Sequence, residues 1–114
     1  QSYDKSIPLP ADILGYPVGT WHVRHDQLVN YMYAVAEASD RVTVKEIGRT
    51  HEHRPLLLLT ITSPSNHSNI DAIRQQHIQQ IENGESVPQD APLIINMGYS
   101  VHGNERRRSQ YPVE

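Results

Sequence analysis

Apolar positions change their spacing several times along the 114-residue chain, and each change predicts an element. Up to Arg24 there is no regular period. Pro8, Pro10 and Pro17, with Gly15 and Gly19, predict an extended arm over residues 1–24 with no room for a helix. From Asp26 the spacing turns helical: Leu28, Met32, Val35 and Ser39 share a face, with Asp26 as the expected N-cap. Ser39-Asp40 is turn chemistry and should end that helix near Ala38. Val42-Thr43-Val44 then alternates as a strand does, Ile47 falls out of phase by one residue as at a β-bulge, and Gly48 to Arg54 reads as a polar turn. The returning run, Leu56 to Ile61, is apolar without alternation, the pattern of a strand covered on both faces in a layered α/β protein.

Ser63-Pro64-Ser65-Asn66 is a loop and a helix start. Ile70, Ile73, His77 or Ile78, and Ile81 then line one face of a second helix, which Asn83-Gly84 stops. A polar stretch with Pro88 leads to Pro92-Leu93-Ile94-Ile95-Asn96-Met97, expected to be another buried strand. Apolar strands interleaved with helices predict an α/β sheet rather than a bundle or a sandwich.

Composition narrows the classes. Hydrophobic residues make up 37% and charged residues 20%, which suits a globular chain of one domain or part of one. Aromatics are only 6%, all Tyr apart from Trp21, so any core must be aliphatic. A net charge of −3 excludes a strongly basic nucleic-acid surface, and Pro55 to Leu59 with Ile61 is too short an apolar run to cross a bilayer. Cysteine is absent, which removes disulfides and thiolate metal sites. No charged-then-apolar leader opens the chain, and the start at Gln1 is expected to be a processed or trimmed terminus. There is no internal repeat. The seven histidines are the one compositional feature that invites chemistry.

His102 and Glu105 form an H-x-x-E pair just past the carboxyl end of the last predicted strand. In open α/β sheets that end is where ligands bind, and a turn containing Gly103 can bring an imidazole and a carboxylate to one side. Imidazole nitrogen and carboxylate oxygen both suit zinc, and a hydrolytic site needs three protein ligands with one position left for water. Composition alone gives roughly 0.4 such pairs by chance, so the spacing by itself carries little.

The surrounding order of residues carries more. Ile47-Gly48-Arg49-Thr50-His51-Glu52, followed by Arg54-Pro55-Leu56, resembles the IG-x-T-x-E-G-R-P-L hairpin of the zinc carboxypeptidases, the carboxypeptidase A-like metallopeptidases. Pro92 to Glu105 resembles their metal-binding strand and H-x-x-E turn. Trp21-His22-Val23-Arg24 and the helix with Tyr31-Met32 resemble the lead-in of secreted bacterial members. The likeness runs in order from about residue 7 to residue 105.

That resemblance implies a partial three-layer α/β/α mixed sheet, with residues 1–105 as the N-terminal part of a metallocarboxypeptidase catalytic domain. It implies Zn²⁺ as cofactor, with His102 and Glu105 as the first two ligands of a His₂Glu set taken over from carboxypeptidase A by likeness. The family's second histidine, its late glutamate general base, and the Arg and Asn residues that grip the substrate carboxylate match no position in this chain, so no catalytic residue is assigned here. The substrates implied are peptide or protein C-termini, and the implied location is secreted or periplasmic. The chain is expected to be a truncated form, inactive alone and prone to self-association through an incomplete sheet.

Two features depart from the family. His53 stands where its hairpin usually has Gly, at a position expected to want positive φ. Residues 106–114, opening with Arg106-Arg107-Arg108, form an atypical tail, expected from a truncation, an altered reading frame or a trimmed boundary. The three arginines read as solvated charge that would compete with Zn²⁺ beside Glu105, rather than as an anion site.

The other histidines have plainer readings. His51 and His53 sit two apart and could chelate a metal or supply a third zinc ligand, but turn residues in solvent fit better. His22 and His25 flank Arg24 at a helix start, and His77 is a polar group on an apolar helix face. Asn66-His67-Ser68 is a glycosylation sequon by pattern only. The rival to a zinc carboxypeptidase is a non-catalytic interaction or weak metal-binding module on the same partial scaffold.

Overall fold

The computed structural model describes residues 3–86 and 88–99. Two compact units divide the chain, one running to Ile61 and rejoined at Gly98, the other spanning Thr62–Met97.

The first unit opens with a short helix, α1, Pro10–Leu14, inside the arm expected to hold none. Proline is tolerated at the first helical position, where its missing N–H would have had no intrahelical partner. Here Pro10 occupies that start, the Leu9 N–H donates to Asp12 Oδ2 at 2.9 Å, and Gly15 closes the end at φ 81°. The proline and glycine that suggest a broken segment are a helix start and stop.

Helix α2, His25–Ala38, begins one residue before the expected N-cap. Arg24, not Asp26, is the N-cap, because Gln27 at the third helical position turns its Oε1 back to accept the Arg24 N–H at 3.0 Å. Asp26 lies in the first turn, where a carboxylate complements the helix dipole, and the Arg24 guanidinium grips it at 3.0 and 3.2 Å. That hydrogen bond holds the exposed Asp26 carboxyl below the usual aspartate value. Tyr31 on α2 donates its hydroxyl to the Pro8 carbonyl at 3.3 Å, and burial pushes its phenol up. α1 packs on α2, and α2 on the strand that follows it.

Strands β1, Val42–Arg49, and β2, Pro55–Ile61, pair antiparallel from Val42 opposite Ile61 to Arg49 opposite Pro55. The register shifts between Glu46 and Gly48, so Ile47 is the extra residue of a bulge, as its phase predicts. β2 does not have two covered faces. Its exposure alternates from Pro55 to Leu59: Leu57 and Leu59, on the side of Val42 and Val44, are half-buried, while Leu56 and Leu58 on the other side are each 45% exposed.

In the second unit, α3, Pro64–Ser68, starts at Ser63, whose Oγ accepts the Asn66 N–H at 3.3 Å. α4, Ile70–Asn83, follows after Asn69 and stops at Gly84, φ 63°. Its less exposed stripe is Ile73, His77 and Gln80, whereas Ile81, expected on the covered face, is 80% exposed. Pro92–Met97 forms no strand. A strand needs a ladder partner on at least one side, and the sheet of the described residues contains β1 and β2 alone. Among the described residues no hydrophobic side chain is fully buried, and Gln80 is the one buried residue. Helices and an antiparallel pair make a small α/β chain, without the three-layer arrangement in the described residues.

Candidate functional site

Three local structures place the chemistry-bearing residues that the structure describes. The first is the β1–β2 hairpin. Thr50 N–H donates to the Arg54 carbonyl and His53 N–H to the Thr50 carbonyl, both at 2.9 Å, which makes a three-residue loop of His51, Glu52 and His53. His53 closes it at φ 62°, the left-handed conformation expected where the family has Gly. Thr50 Oγ1 also accepts the Arg54 N–H at 3.1 Å, and Arg49 donates from Nη1 to the His53 carbonyl at 3.0 Å. Arg49 pairs with Glu46 at 2.9 Å and Arg54 with Glu52 at 3.2 Å. The apex is thus charge-balanced, and both imidazoles are exposed.

The second lies at the start of α2. His25 Nε2 sits 3.0 Å from the Pro55 carbonyl, so its ring donates there and ties the helix start to the first residue of β2. The third is in α4, where His77 Nε2 donates to the Pro92 carbonyl at 2.9 Å. Spacing offers His25 only a capping or surface role; its tie to a carbonyl thirty residues away leaves no local signal. Gln27 does carry a signal, a glutamine three residues after the N-cap, which the choice of Asp26 as cap overlooks.

His102 and Glu105, the predicted zinc ligands, lie outside the described residues, as do Arg106 to Arg108. Among the described residues no group of three or more His, Asp or Glu is placed to hold a metal, so His51 and His53 gain no third donor there.

In chain order the hairpin with its left-handed closing residue lies between α2 and the helix preceding the H-x-x-E run. The zinc carboxypeptidase family model matches residues 28–106, more than half of the chain. The chain belongs to the zinc carboxypeptidase family. No curated protein and no solved structure matches it. The family match opens in α2 and takes in the hairpin, α4 and the H-x-x-E pair; the Trp21–Arg24 lead-in lies before it. Zinc carboxypeptidases carry Zn²⁺, and an imidazole with a carboxylate is donor chemistry that suits this ion.

Proposed function

We propose that two zinc ligands of this protein, His102 Nδ1 or Nε2 and a Glu105 carboxylate oxygen, serve a metallocarboxypeptidase acting on peptide or protein C-termini. The observation that carries this reading is the family match over residues 28–106, which takes in both residues. Zinc, when bound, supplies Lewis acidity toward a scissile carbonyl and a water molecule. The role of His102 and Glu105 is to hold the ion and leave positions open for water and substrate. No residue of this sequence matches the family's general base or its third ligand, so the 114-residue chain alone is proposed to be inactive. A secreted or periplasmic location is proposed on the likeness of Trp21 to Arg24 to secreted bacterial members.

Calorimetric titration of the protein with Zn²⁺ tests the assignment. Weak binding is expected, because two protein ligands leave the remaining positions to water, and it should vanish in His102→Ala and in Glu105→Ala. Equal zinc affinity in the wild type and both variants would remove these residues from the metal site. Peptide carboxypeptidase turnover by the isolated protein that disappears in Glu105→Ala would overturn its proposed inactivity.

A further inference from the structure

Asn83-Gly84 ends α4, and nothing in the zinc site uses it. The stop is a Schellman cap: Glu85 N–H donates to the Gln80 carbonyl at 3.0 Å and Gly84 N–H to the Ile81 carbonyl at 3.4 Å. The Gly84 N–H is also shared with the Gln80 carbonyl, so this amide is split between two acceptors at the frayed end of the helix, with the Ile81 leg long. A Cβ built at Gly84 would meet nothing within 4 Å, and both residues are exposed.

We infer that Asn83-Gly84 is a site of spontaneous deamidation in the folded protein, a covalent modification of α4's last turn that needs only water. The Gly84 backbone nitrogen attacks Asn83 Cγ. A new N–Cγ bond forms, the Cγ–Nδ2 bond breaks, and ammonia leaves with the Gly84 amide proton. Water then opens the cyclic imide. Cleavage of the new N–Cγ bond gives aspartate. Cleavage of the original peptide bond between Asn83 and Gly84 gives isoaspartate, with the backbone rerouted through Cγ.

Three features select this asparagine. Glycine has no Cβ to obstruct ring closure. Helix ends open at little free-energy cost, which frees the Gly84 nitrogen from the Gln80 and Ile81 carbonyls it is shared between. The amides of Asn66 and Asn69 are engaged instead, Asn66 Nδ2 with Thr62 Oγ1 at 3.0 Å and Asn69 Nδ2 with the Ser65 carbonyl at 3.3 Å, and bulky residues follow both. The product places a new carboxylate at the negative end of the helix dipole, and isoaspartate lengthens the backbone inside the cap. Both loosen the turn that holds Gln80, the buried residue of α4.

The protein is incubated at mildly alkaline pH, natively and in denaturant, and peptide mapping follows the gain of about 1 Da at position 83. Fraying at small cost predicts native conversion within about tenfold of the rate in denaturant. In denaturant, where capping no longer matters, Gly84→Ala should slow conversion about tenfold, the effect of a barrier raised by the crowding of one Cβ. Asn83→Gln should remove the signal. An Asn83 that stays intact natively while it is consumed in denaturant overturns the inference, as does a Gly84→Ala variant that converts at the wild-type rate.

Discussion

His53 holds a left-handed backbone at φ 62° with a side chain that lacks glycine's freedom, and the hairpin's hydrogen bonds keep it there. For L-residues this conformation costs about 1–2 kcal/mol, less for residues such as His that tolerate it, and glycine gives back part of the gain through its unfolded-state entropy. His53→Gly should therefore stabilise the protein by up to about 1 kcal/mol, and His53→Val should destabilise it by about 1–2 kcal/mol. Urea unfolding midpoints at one fixed protein concentration measure both, and a stabilised His53→Val would show that the loop relaxes out of the left-handed region. This position is legible in the sequence because the family's glycine sits there for a conformational reason. The role of His25 is not legible, since its acceptor, the Pro55 carbonyl, is brought near only by folding.

At the scale of elements, helix starts decide where reading succeeds. Ser63 announces α3 by type, and Gly84 announces the end of α4. Pro10 reads as a breaker although it holds the one helical position proline fills without loss. α2 shows how a cap forms without a capping side chain: Arg24 supplies none, and Gln27 Oε1 accepts both the Arg24 N–H at 3.0 Å and the Tyr16 hydroxyl at 3.4 Å. Gln27→Ala leaves those donors to solvent and should lower stability by about 1 kcal/mol. Gln27→Glu should recover that loss, because a carboxylate accepts the same bond and favours the helix N-terminus. Thermal unfolding of the wild type and the two variants checks the order. A Glu variant no better than the Ala variant would place the effect of Gln27 outside the cap.

At the scale of the whole molecule, covered faces are the least legible feature, because burial depends on partners far away in sequence. Leu56 to Ile61 and Pro92 to Met97 have the composition of interior strands. Yet Leu58 is 45% exposed, Ile61 70%, Leu93 83% and Ile95 67%, and no hydrophobic side chain of the described residues is fully buried. Water is a poor solvent for such surface, and contiguous apolar patches on isolated proteins mark places where other molecules dock. Burying a few hundred Å² returns roughly 25 cal/mol per Å², several kcal/mol before the entropic cost of association. Self-association is the proposal that follows, and light scattering across a dilution series should show a mass that rises with concentration. Leu93→Ser with Ile95→Ser, which removes two of the most exposed apolar side chains, should shift that rise to higher concentration. A monomer at every concentration would mean that these side chains find cover within one molecule, and the incomplete-sheet picture would fall with it.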